Sequence, residues 1–144
     1  MTNQNFETPR KIFNFAQNYF NLKFDLDVCA TKENSLCKNY FTKKDDALDK
    51  EWNGICWMNP PYGRGIGVWL QKAYESSQQG STVVCLIPSR TDTKWWHDYV
   101  MRASEVRFLK GRLKFDGHEN SAPFPSVIVV FKKTDTQVFK SMVR

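Results

Sequence analysis

The sequence contains no apolar run of about 18 residues, the length a membrane-spanning helix requires. Its first ten residues, MTNQNFETPR, lack the apolar centre of a secretory leader, so the expectation is a cytoplasmic protein. Cysteine is sparse: Cys29, Cys37, Cys56 and Cys85 form no Cys-x-x-Cys pair, and the only histidines are His97 and His118. That pattern suggests neither a zinc site nor a disulfide framework, and the thiols read as reduced. Acidic residues are outnumbered, 15 against 21 lysines and arginines, and the net charge of +6 favours a polyanionic partner. Long linkers, internal repeats and low-complexity tracts are also missing. The 144 residues therefore read as one domain, long enough to bury a core of its own. Aromatic residues are in excess at 15%, and they need a place in the core or at a binding face.

Thr8 and Pro9 read as a helix start, with the threonine oxygen as cap and proline in the first helical position. Ile12, Phe13, Ala16, Tyr19 and Phe20 follow at helical spacing and form one buried stripe. Residues 24–30 (FDLDVCA) suggest a short strand, residues 34–38 a helical turn and residues 39–42 another short strand. Residues 54–58 (GICWM) form a continuous apolar run that stops at Asn-Pro-Pro, the pattern of a buried parallel strand ending at its carboxyl edge. Residues 68–77 look helical, with Val68, Trp69, Leu70 and Ala73 as candidates for the inward face. Residues 82–87 (TVVCLI) are a second buried strand, halted by Pro88. A helix is expected at 94–101, a strand at 106–109 with 113–115 as its extension, and a last strand at 126–131 (SVIVVF). This alternation implies a mostly parallel, doubly wound α/β sheet. No helix is evident between the last two of these strands, which should pair antiparallel as an edge hairpin.

Ligands of an open parallel sheet sit beyond the carboxyl ends of its strands. Two segments with distinctive chemistry reach that edge: Asp27, and Asn59-Pro60-Pro61-Tyr62. An exocyclic amino group on a purine is a poor nucleophile because its lone pair is delocalised into the ring. Two acceptors placed on its N–H bonds oppose that delocalisation and aim the lone pair at an electrophile. The Asn59 side-chain oxygen and the Pro60 carbonyl suit the task, and the proline rings fix the carbonyl direction in advance. Tyr62 can stack on a base, which must be unpaired or flipped out to present its amino group. The competing reading is a rigid turn leaving a strand, with Tyr62 as a packing residue.

The ordered series TPRKIF, FDLDVCA, NPPYG with Trp69 and Lys72 behind it, LIPSRTDTKWW, GRLKF and APFPSVIVVF covers roughly residues 8–131. It resembles the small phage-type DNA adenine-N6 methyltransferases grouped under the name Dam. The resemblance implies a single-domain class I (Rossmann-like) methyltransferase fold without a separate target-recognition domain. It also implies S-adenosylmethionine as donor, the N6 of a flipped adenine in duplex DNA as acceptor, and protection of phage DNA in the host cytoplasm. It carries Asn59, Pro60, Pro61 and Tyr62 over as the catalytic loop. Thr8, Pro9, Asp27, Cys29, Asp46 and Asn59 become the cofactor-binding set, with Asp27 facing the methionine ammonium and Asp46 meeting the cofactor adenine. One departure is plain: Val28-Cys29-Ala30 follow Asp27 where many methyltransferases have a glycine-rich turn, and side chains limit how closely backbone approaches a ligand.

For nucleic acid, the candidates are Arg90, Trp95, Arg112 and Lys114. Arg90, just past a strand end, reads as a phosphate contact or a structural ion pair. Of Trp95 and Trp96, one should be core and at most one should stack on bases. Arg112 and Lys114 alternate on an expected strand and would share a face, toward DNA or toward solvent. Residues 88–116 hold seven basic side chains against four acidic ones, a candidate phosphate-facing region. Sequence specificity, if present, should reside in residues 116–125 and 88–93. His97 and His118 have no partner at catalytic spacing and receive no role. Loops of this type also serve RNA and protein-glutamine methyltransferases. A non-catalytic anti-restriction protein of the same shape is a further alternative, favoured by the missing glycines and opposed by the intact loop.

Overall fold

The structure, a computed structural model, describes residues 6–144. Seven strands form one sheet: β1 (Leu26–Asp27), β2 (Asn39–Tyr40), β3 (Ile55–Met58), β4 (Thr82–Pro88), β5 (Glu105–Leu109), β6 (Ser126–Phe131) and β7 (Val138–Met142), in the order β2-β1-β3-β4-β6-β5-β7. β4 and β6 lie at the centre and bury nearly every residue, as continuous apolar runs covered on both faces must. β1 pairs in parallel with β2 and β3, β3 with β4, and β5 with β7, while β6 runs antiparallel to both of its neighbours. The sheet is thus mostly parallel, with β6 alone reversed.

The expected antiparallel pairing is present, with Phe108 opposite Val127, but the hairpin is not at the edge. β7, which the sequence reading did not include, pairs with β5 beyond it. With β6 on one side and β7 on the other, β5 has no free edge. Residues 113–115 accordingly add no strand; Gly111 turns the chain at φ +80°, and Leu113 and Phe115 are buried as loop residues.

Three α-helices flank the sheet: α1 (Arg10–Phe20), α2 (Ile66–Gln78) and α3 (Lys94–Asp98). α1 buries Ile12, Phe13 and Ala16 and ends at Asn21 in the left-handed region (φ 53°), a common helix stop. Tyr19, expected in the stripe, is 44% exposed. In α2 the buried side is Ile66, Leu70, Ala73, Ser76 and Ser77, and Val68 is exposed instead of facing inward. The helix starts two residues earlier than its sequence signal, and its buried stripe runs from Ile66 through Leu70 and Ala73 to Ser77. The expected helix at 94–101 is broken: α3 is capped by Thr93, whose hydroxyl accepts from Trp96 N–H, and a separate 3₁₀ turn follows at Val100–Arg102. Residues 36–38 form bends, and the turn lies just upstream at 32–34, closed by Ser35 N–H donating to the Thr31 carbonyl at 3.0 Å.

Asp25 and Gly54 fix the entry of β1 beside β3. The Asp25 carboxylate accepts from Ile55 N–H at 2.9 Å, and a Cβ on Gly54, which sits at φ +79°, would lie 2.5 Å from its Oδ2. Among the described residues, no helix is long and apolar enough to cross a membrane.

Candidate active site

Parallel register sets Asp27 opposite Trp57, so Asp27 and the Asn59 loop leave adjacent strands at the same edge. A cavity of about 590 Å³ opens there, and its walls include Thr8, Asp27, Cys29, Asp46, Asn59, Pro60 and Pro61. The cofactor residues expected from the sequence are therefore brought together, with the exception of Pro9. That residue does not line the cavity and instead caps α1, offering its carbonyl to Ile12 and Phe13.

Asp27 is 3% exposed. Its Oδ1 accepts from Cys29 N–H and its Oδ2 from Leu36 N–H, both at 3.3 Å. Burial pushes its pKa up to about 6, only partly offset by those two amide bonds. Among the described residues no cationic side chain pairs with it. A carboxylate so placed gains from an incoming ammonium group. Neighbouring Cys29 is pushed up to about 12 by burial and then by the Asp27 charge, so its thiol is wall and not nucleophile. The chain after β1 is held by main-chain bonds from Val28 to Trp57 and from Ala30 to Phe41, and the cavity stays open although no glycine lies in that turn. Asp46 stands exposed at the mouth in a left-handed conformation (φ 53°), and the following turn is pinned by Trp52 Nε1 donating to the Ala47 carbonyl at 2.9 Å.

Thr8 does not cap α1. Its hydroxyl accepts from Trp57 Nε1 at 3.2 Å and from Asn59 Nδ2 at 2.9 Å, so a residue with the local signature of a helix cap is recruited by the site. Asn59 Nδ2 also donates to the Phe6 carbonyl at 2.5 Å. A carbonyl can only accept, which fixes the amide orientation. Among the described residues, no donor reaches the buried Asn59 Oδ1. Buried acceptors normally find a partner, and this one lacks it on a residue that lines the cavity.

Tyr62 is 6% exposed and donates its hydroxyl to the Leu86 carbonyl at 3.0 Å. Phe115 and Phe124 meet its ring edge-on, and Phe6 stacks on it at 5.3 Å between centroids. It is thus a packing residue, the competing reading of the loop, with Phe6 stacked on its ring.

The expected nucleic-acid residues separate. Arg90 is exposed, with its guanidinium 5.8 Å from the centroid of Phe124. Arg112 is exposed and ties down the following loop by donating to the Ala122 carbonyl at 3.2 Å; Lys114 is exposed on the same stretch. Trp96 is core at 3% exposure, whereas Trp95 is half-buried, with its Cβ against Gly67 of α2. The basic excess of residues 88–116 is partly spent internally, since Lys94 pairs with Asp98, and buried Arg107 pairs with Glu105.

Phe6, Leu36 and Trp69 line the cavity and were not foreseen. Phe6 stands upstream of any periodic pattern, and only the aromatic excess hinted at it. His118 was assigned nothing, yet its ring stacks on Phe6 at 4.8 Å and 10°.

A buried carboxylate, Asp27, and the Asn59-Pro60-Pro61 stretch share one cavity at the carboxyl edge of the sheet. The family model described as DNA N-6-adenine-methyltransferase (Dam) matches residues 2–143, and the chain belongs to that family of DNA-methylating enzymes. A DNA N-6-adenine-methyltransferase of Haemophilus phage HP1 (strain HP1c1) is 35% identical over 132 residues, covering 87% of this chain and 76% of the relative. One of Escherichia phage T1 is 28% identical over 116 residues, covering 78% of this chain and 48% of that longer protein.

Proposed function

We propose that this protein is a single-domain class I (Rossmann-like) methyltransferase that transfers the methyl group of S-adenosylmethionine to the N6 of an adenine flipped out of duplex DNA. The observation that carries the reading is the unpartnered Oδ1 of Asn59, held at the wall of the cavity that Asp27 also lines. Asp27, buried and without a cation, suits the methionine ammonium, and ionises fully once that charge is beside it. Thr8 and Cys29 contribute wall, and Asp46 at the mouth suits the polar edge of the cofactor adenine. Bound S-adenosylmethionine supplies an electrophilic methyl on its sulfonium.

Asn59 Oδ1 accepts one N–H of the target amino group, and the Pro60 carbonyl the other. Thr8 and the Phe6 carbonyl hold the Asn59 amide so that it need not reorganise as charge develops on the nitrogen. Pro60 is buried, which excludes water from the reacting amine. Arg90, Arg112 and Lys114 serve the phosphate backbone, and Trp95 a neighbouring base.

The test is incubation with methyl-labelled S-adenosylmethionine and, in parallel, unmethylated duplex DNA, RNA or protein. Label in adenine of duplex DNA alone is expected. Label confined to RNA or protein, or to none of the three, overturns the reading.

A further inference from the structure

The Phe6 ring, on the wall of the cavity, stacks with two others: Tyr62 at 5.3 Å and 20°, and His118 at 4.8 Å and 10°. These separations and angles are those of stacked aromatics. The Phe6 ring also forms part of the wall of two cavities. One is the 590 Å³ space containing Asp27 and Asn59; the other, about 370 Å³, is lined by the loop that runs from Phe115 through His118 to Pro123.

We propose that the Phe6 ring occupies the place of the target base, and that His118 is the positioning residue that forms the second face of that base. The inference rests on the function proposed above and adds two residues to it. A base approaching through the 370 Å³ cavity enters the slot between Tyr62 and His118 as the Phe6 ring leaves it. The Phe6 main chain can stay in place meanwhile: its carbonyl holds Asn59, and the neighbouring Glu7 carbonyl accepts from Asp116 N–H at 3.3 Å. The exchange replaces one stacked ring by another, so neither the slot nor Asn59 has to be built when the base arrives. It also brings an amino donor to the Asn59 oxygen that now has none.

Asn59 is fixed whether or not a base is present, whereas the slot is filled until one comes. Before binding, Phe6 keeps water out of the catalytic wall. His118 sits on the loop tied by Arg112 to the Ala122 carbonyl, so the second face is delivered by the same segment expected to face DNA.

The experiment titrates the full chain, saturated with S-adenosylhomocysteine, with 2-aminopurine deoxynucleoside monophosphate, whose fluorescence is quenched by stacking. Phe6→Ala should tighten binding by about tenfold and Phe6→Trp should weaken it, because the ring competes with the probe. His118→Ala should weaken binding by about tenfold and reduce the quenching, His118→Phe should restore both, and cofactor affinity should be the same in the two His118 variants. Equal probe binding by wild type, Phe6→Ala and Phe6→Trp overturns the exchange, and equal behaviour of His118→Ala and His118→Phe overturns the second face. Methylation of adenine in duplex DNA by the wild type is measured alongside. If it occurs while the variants bind the probe as the wild type does, the slot assignment alone fails; if it does not occur, the proposed function fails.

Discussion

At the Asp27 end the cavity is open, and the carboxylate on its wall is held by nearby main-chain amides. At the Tyr62 end the same wall is covered by a side chain contributed from far away in sequence. The first end consists of a carboxylate waiting for charge, and its partners Cys29 and Leu36 lie two and nine residues away. The second assembles Phe6, Tyr62, Phe115, His118 and Phe124 from three separated segments around one ring stack. On the proposed reading, the donor end is ready in the free protein, while the base end changes occupant before it works.

Substitutions at the two ends should differ in kind. The largest effect is expected at Asn59. Asn59→Ala should lower the single-turnover rate by about 10²–10³-fold while changing cofactor affinity much less, as for loss of one preorganised hydrogen-bonding group. Asn59→Asp keeps an acceptor and should retain measurable turnover. Quenched-flow methylation and calorimetry separate the two quantities.

At the donor end, Asp27→Asn should weaken S-adenosylmethionine binding by about tenfold to a hundredfold, the range for a charge-assisted contact. The pH dependence has a definite sign. Ammonium binding favours the ionised carboxylate, so in wild type affinity should rise with pH through about 6 and reach a plateau. Below that point it should fall by about tenfold per pH unit. Asp27→Asn should lose this dependence. Stability of the unliganded protein moves in the opposite sense. A folded-state pKa raised from 3.8 to about 6 means that the native state holds the proton more tightly than the unfolded chain, so stability drops as pH rises through that window. The wild type should thus lose about 2–3 kcal/mol between pH 4 and pH 7, a pH-linked loss that Asp27→Asn should not show, measured by denaturant unfolding. Asp25→Ala should affect cofactor binding less, since Asp25 serves the β1–β3 junction.

Tyr62 tests whether the base end is a ring face or merely core. Tyr62→Phe should destabilise the fold by about 1 kcal/mol, for the lost bond to the Leu86 carbonyl, and keep most turnover. Tyr62→Ala removes a buried ring and should cost about 3–5 kcal/mol, so its activity is to be read only beside its unfolding curve. The smallest effects are expected at the residues proposed to face phosphate. Alanine at Arg90 or Lys114 should each reduce the slope of log affinity against log salt by about one, with all DNA sequences weakened alike.

Much of the donor end was legible because its determinants are local. Continuous apolar runs ending at Asn59 and Pro88 mark buried strands and the edge where they stop, and Asp27 lies at that edge by the same logic. β7 escaped notice because Val138–Met142 buries only Met142, so as a sheet edge it carries no apolar run or alternation. Thr8 was misread since its neighbour Pro9 gives a capping signal, while its true partners, Trp57 and Asn59, lie about fifty residues away. His118 and Phe6 show the same limit: ring stacking across more than a hundred residues leaves no periodic trace in sequence.

The most direct test is the chemical identity of the product. Duplex DNA from a host without methyltransferases is incubated with S-adenosylmethionine and either the wild-type protein or Asn59→Ala, digested, and its nucleosides identified by mass spectrometry. Wild type should yield N6-methyladenine and no methylated cytosine, and Asn59→Ala about a hundredth of that amount or less in the same time. Methylcytosine as the product, or N6-methyladenine formed equally fast by Asn59→Ala, would contradict an adenine-directed site built on the Asn59 oxygen.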